Sequence, residues 1–150
     1  MTQDETFLRE AIKEARKALS SGDIPVGALL VVEGKIVARG HNQREARQDP
    51  FAHAEIEAVR KAARKLGTWR VAGTLYCTLE PCAMCAGAMI QARIERLVFG
   101  AFDPKAGAAG SVVGLFKPGL FNHDVVVEGG LLADECAALL QQFFQALRAS

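Results

Sequence analysis

The stretch TLYCTLEPCAMCAGAMIQARIERLVFGAF, residues 74–102, does most to limit what this chain can fold into. It begins with an apolar run of strand type, TLYCTLE, and ends with another, RIERLVFGAF. The segment between them, PCAMCAGAMIQA, is of helical length and opens on Pro81. Proline suits the first turn of a helix, where its missing N–H would have had no partner in any case. Two strands joined through a helix point to parallel neighbours in one sheet.

The flanking segments extend this unit on both sides. Residues 4–19 place Phe7, Leu8, Ile12, Ala15 and Leu19 near a helical period and predict a first helix, broken by Ser20, Ser21, Gly22 and Asp23. GALLVV and KIVARG flank Glu33-Gly34 and predict an antiparallel hairpin. Residues 43–52 are polar, contain Asp49-Pro50 and read as a loop, while AEIEAVRKAARKL predicts a second helix stopped at Gly67. After the central unit, residues 103–122 form a glycine-rich loop, HDVVVEG a fifth strand, and LLADECAALLQQFFQALR a closing helix. The order is α-β-β-α-β-α-β-β-α: an α/β chain, read as one domain over residues 1–150, whose mixed sheet lies between helices. A loop of this length inside a compact domain often does the binding.

Composition narrows the function classes. Half the residues are apolar and no run approaches a membrane span. The N-terminal MTQDETFLREAIKEARKAL is acidic and amphipathic, without the apolar core of a signal peptide, so a cytoplasmic location and reduced thiols are expected. The net charge is only +1, but residues 35–70 hold nine Lys/Arg against four Asp/Glu, a basic segment that could meet phosphates. Taken alone, Arg60, Lys61, Arg64 and Lys65 read more simply as the solvated face of a helix.

Two of the four cysteines, Cys82 and Cys85, stand three apart on the third helix, on one face, where the helix start favours thiolates. Soft sulfur ligands select zinc, and zinc needs further ligands. Of His41, His53 and His123, only His53 opens a predicted helix beside an acid, in HAE. His53 and Glu55 can serve one site only at the very start of that helix, with the ion off its end. Three protein ligands leave a fourth position for water, which zinc turns into a nucleophile, and Glu55 can take up its proton. Two other readings compete: a redox pair, or a closed structural zinc with Cys77 or His123 as fourth ligand. Cys77 and Cys136 otherwise read as small buried apolar residues.

HxE followed by PCxxC, here HAE and then PCAMC with Cys82 29 positions after His53, is the recognised signature of zinc-dependent nucleoside and nucleobase deaminases. The segments PVGALLV (25–31), DPFAHAEIEA (49–58), TLEPCAMCAGAMI (78–90), RLVFGAFDPKAGAAGS (96–111) and the NH at 122–123 resemble the bacterial tRNA-specific adenosine deaminases from the first helix to the last. DPKAGAAGS discriminates best, because relatives acting on free bases share the zinc motifs without it. The resemblance implies a three-layer α/β/α cytidine-deaminase-like fold with a five-stranded mixed sheet. It implies one Zn2+ per subunit, held by His53, Cys82 and Cys85, with Glu55 as proton shuttle. The reaction implied is hydrolysis of adenosine to inosine at the wobble position of a tRNA anticodon loop, in a homodimer with the active site near the subunit interface.

For substrate contacts the resemblance implies Asn42 against the flipped nucleotide, Ile24, Pro25 and Val26 walling the base pocket, and Asp103 and Lys105 on neighbouring nucleotides. It implies Phe144 and Arg148 on the last helix against flanking ones, although Phe143 is the alternative to Phe144. Without the resemblance, Asn42 and Asp103 read as ordinary turn and capping residues. A single-stranded loop suits this chemistry, since a stacked base cannot be reached and RNA is read by sequence mainly in such loops. The alternative enzyme is a zinc deaminase of a free base or nucleoside, of guanine or cytosine type. A non-catalytic RNA-binding subunit would lack Glu55 or a ligand, and this chain lacks neither.

Overall fold

Glu33 and Gly34 both take positive φ, 50° and 76°, so the two-residue turn between β1 (Gly27–Val32) and β2 (Lys35–His41) matches the twist of the strands it joins. The structure, a computed structural model, describes residues 1–149. β1 pairs antiparallel with β2 on one side and with β3 (Thr74–Leu79) on the other. β3 then runs parallel to β4 (Arg96–Ala101), and β4 parallel to β5 (Val126–Gly129). The five-stranded mixed sheet therefore has the order β2-β1-β3-β4-β5.

The two-residue period of the strands builds two cores. Ala28, Leu30, Leu75, Cys77, Leu97 and Phe99 face one side, where they meet Ala54, Ala58 and Ala62 of α3 (Ala54–Leu66) and Cys85, Met89 and Ile90 of α4 (Ala83–Gln91). Leu29, Val31, Tyr76, Val98 and Ala101 face the other side. There they meet Leu8, Ala11, Ile12 and Ala15 of α1 (Gln3–Arg16), and Cys136 and Leu139 of α5 (Ala133–Ala149). The three-layer α/β/α arrangement expected from the sequence is what the chain adopts. Asp4 fastens the first layer: its carboxylate accepts from the Arg96 guanidinium at 2.6 and 3.0 Å and from the Tyr76 hydroxyl at 2.5 Å.

Four elements differ from the sequence reading. The first helix stops at Arg16 and tightens into a 3-10 turn over Lys17–Ser21. The polar loop 43–52 contains a single helical turn, α2 (Arg44–Arg47), because the buried Asp23 carboxylate accepts from Glu45 N–H at 2.5 Å and Ala46 N–H at 3.1 Å. That cap comes from another part of the chain, so no local pattern could announce it. Pro81 lies ahead of α4 and not in its first turn, since Cys82 holds an extended backbone (φ −74°, ψ 175°) as N-cap. β5 is only four residues long, because the strand it pairs with begins at Arg96, opposite Val126; ahead of it the His123 side chain donates through Nε2 to the Ile94 carbonyl at 2.7 Å.

Candidate active site

Two helix starts meet below one cavity. His53 is the N-cap of α3 and Cys82 the N-cap of α4, both in extended backbone conformation, and neither side chain caps its own helix. An imidazole and a thiol are thereby left free at helix ends where unpaired N–H groups favour negative charge. Cys85 sits one turn further along α4, fully buried. His53 Nδ1 lies 3.6 Å from Cys82 Sγ and 3.5 Å from Cys85 Sγ. For tetrahedral zinc with its usual bond lengths to nitrogen and sulfur, that edge should be about 3.6 Å. One nitrogen and two sulfurs, at this spacing and within 4.8 Å of one another, fit a zinc ion, and among the described residues no further His, Cys, Asp or Glu joins the group.

The three donors and Glu55 perturb one another strongly. A hydrogen bond from Cys85 and the neighbouring His53 pull the Cys82 thiol down to about 4 against the cost of its burial. Cys85 is pushed up by that same bond and by burial. His53 is raised, chiefly through its bond to Cys82. Glu55, the second residue of α3, is 5% exposed, and burial raises its carboxyl above the usual carboxylate range. It stands beside the sulfurs without belonging to the donor group.

The cavity above, about 230 Å³, is lined by His53, Glu55 and Cys82 at its floor and by Ile24, Val26, Asn42 and Asp103 around them. Pro25 is buried behind this wall and does not line the cavity. Asn42 donates through Nδ2 to the Ile24 carbonyl at 3.2 Å and accepts at Oδ1 from Arg44 N–H at 3.2 Å. It fastens two cavity segments together while lining the space between them. The Asp103 carboxylate accepts from Lys105 N–H at 3.0 Å and Ala106 N–H at 3.2 Å. Lys105, Phe144 and Arg148 do not reach this cavity; they line an adjoining groove of about 300 Å³ with Gln141 and Gln145. Of the two phenylalanines, Phe144 is exposed in that groove, and Phe143 is half-buried toward Leu19 and Leu139.

Sequence reasoning missed Arg44, Leu79, Glu80 and Ala106, which also line the cavity. Glu80 is the most informative of these. It is 2% exposed, and its carboxylate accepts from Asp103 N–H, Ala109 N–H, Ser111 N–H and the Ser111 hydroxyl. Burial alone would raise its carboxyl; these donors outweigh it and hold the group below its ordinary value. The available signal was an acid closing an otherwise apolar strand. The closed structural zinc finds no support: Cys77 and Cys136 are core residues, and His123 is engaged elsewhere.

The chain belongs to the cytidine and deoxycytidylate deaminase zinc-binding family, whose model matches residues 1–101. Within that family it is 52% identical to the tRNA-specific adenosine deaminase of Bacillus subtilis (strain 168), over 99% of this chain and 92% of that protein. A solved structure from a study of A-to-I editing by tRNA:A34 deaminases superposes with a TM-score of 0.84 at 44% identity, over 89% of this chain and 98% of that one. The guanine deaminase of Nitrosomonas europaea is more distant, at 27% identity and a TM-score of 0.78 over 93% and 83% of the two chains. Zinc is the cofactor that the family defines, and the His-Cys-Cys group is placed to bind a metal ion.

Proposed function

We propose that this chain hydrolyses adenosine to inosine at the wobble position of a tRNA anticodon loop. The observation that carries this is the convergence of His53, Cys82, Cys85 and Glu55 at the floor of one cavity whose rim is the Asp103–Ser111 loop. His53, Cys82 and Cys85 would hold zinc, which when bound makes water a nucleophile near neutral pH. Glu55 takes a proton from the attacking water and delivers it to adenine N1; burial raises its carboxyl above the usual carboxylate range, which favours holding that proton between the two transfers. The same carboxyl then takes the proton of the new C6 hydroxyl and passes it to the C6 amino group; the C6–N bond breaks, ammonia leaves and C6=O remains. Asn42, Ile24 and Val26 surround the flipped base, with Pro25 supporting them from behind.

The rim contacts flanking nucleotides. Asp103 lies at the cavity mouth, while Lys105, Phe144 and Arg148 border the next groove, offering a stacking surface between two cations. Lys105→Ala therefore weakens binding of an anticodon stem-loop most at low salt. It lowers the slope of log affinity against log salt by about 0.7, as expected for one lost phosphate contact on a single strand. A salt-independent loss in a titration series would contradict that role.

Purified protein with zinc, incubated with an unmodified stem-loop carrying wobble adenosine, should give inosine that reads as guanosine on sequencing. Absence of inosine sinks the reading. The alternative, deamination of a free base, draws on the likeness to guanine deaminase, and ammonia release across free bases and nucleosides separates the two. The much higher identity to the tRNA-specific relatives favours the first. We also propose a cytoplasmic homodimer. Val112, Val113, Leu120 and Phe121, all exposed on the loop after Ser111, are apolar residues that a second copy would cover. Among the described residues no helix is long and apolar enough to cross a membrane.

A further inference from the structure

Glu80 lies between the donor group and the loop that carries Asp103 and Lys105, and it pairs with no cation among the described residues. All the hydrogen bonds its side chain accepts come from that loop: Asp103 N–H at 3.0 Å, Ala109 N–H at 2.9 Å, Ser111 N–H at 3.1 Å and Ser111 Oγ at 2.5 Å. The backbone around Glu80 adds two anchors, Glu80 N–H to the Ala101 carbonyl and Ala108 N–H to the Pro81 carbonyl, both at 2.8 Å. The loop is wrapped so closely that a Cβ on Gly107 would collide with the Glu80 carboxylate. A carboxylate is needed here, because it offers acceptors at both oxygens to donors arriving from one side. An amide of the same shape would turn an NH2 group toward N–H groups.

We infer that Glu80 is a positioning residue: by accepting from the Asp103–Ser111 loop it sets that loop against the start of α4, and so fixes where substrate RNA meets Asp103 and Lys105 relative to the donor group. This rests on the functional reading above. Glu80 stands at the cavity wall with its carboxylate turned to the loop's donors, so its loss should appear chiefly in substrate affinity.

The test is Glu80→Gln and Ser111→Ala in the zinc-loaded protein, with stem-loop kinetics, zinc content and hydrogen exchange. For Glu80→Gln the expected result is a KM raised about tenfold, as two N–H groups lose their acceptor, with kcat little changed. Zinc stays at one per chain, and the amides of Asp103, Ala109 and Ser111 exchange faster while those of α3 and α4 stay protected. Ser111→Ala, at an exposed position, should raise KM roughly threefold through loss of one bond. An unchanged KM with a fallen kcat, or loss of zinc, would make Glu80 a support of the metal site and overturn the inference. Unchanged loop exchange in Ser111→Ala would overturn it even if Glu80→Gln does not fold. If the unaltered protein forms no inosine the functional reading falls, whereas loop exchange still decides whether Glu80 holds the loop.

Discussion

Glu55→Ala is expected to fold, retain one zinc and lose turnover by roughly 10⁴-fold, the upper end of what a positioned acid–base group supplies. The upper end applies because one carboxyl serves both proton transfers. Zinc stays because the donor group closes on His53, Cys82 and Cys85 without Glu55. Stability should hardly fall, since burial disfavours the ionised carboxyl that is removed. Metal analysis, thermal melting and single-turnover kinetics on the stem-loop check the three statements separately. A Glu55→Ala protein with more than a few per cent of normal turnover ends the proton-shuttle assignment.

Cys82→Ala has the second large effect, and it acts one step earlier. A three-donor group reduced to one nitrogen and one sulfur should lose zinc by more than the 10–100-fold that deleting an outer partner of a ligand typically costs. Zinc content after gel filtration falls toward zero, and activity falls with it. The damage is local, because Cys82 is an N-cap residue whose side chain makes no cap bond, so α4 keeps its backbone start. Cys136→Ala is the control: its thiol lies in the other core, against α1 and α5, and zinc content should not change. Normal zinc content in Cys82→Ala would remove Cys82 from the donor group.

The layers were legible from local signals, for reasons visible in single elements. The alternation GALLVV divides β1 between two cores, and α3 spans Ala54–Leu66 as predicted because His53 and Gly67 bracket it. The donor residues were legible because histidine and paired cysteines at helix starts are uncommon without a task. What stayed hidden depends on contacts between distant segments. Asp23 reaches across to cap α2, and Glu80 gathers a loop more than twenty positions away. Pro25 resembled its neighbours Ile24 and Val26 in sequence, but its place in the turn before β1 turns it away from the cavity. Phe143 and Phe144 both border a hollow with Ile24, Asn42 and Arg44, and Phe144 also lines the groove with Lys105 and Arg148, an arrangement that depends on the rotation of α5 set by packing.

The placing of His53, Cys82 and Cys85 on elements already clamped by the sheet has a consequence for handling the protein. Zinc fingers collapse when chelated, because the ion organises their chain. Here the cage is built by two apolar cores, so a chelator should empty it without melting the molecule. Cobalt could then be loaded in zinc's place, giving the nitrogen and two sulfurs a visible colour by which ligation can be followed.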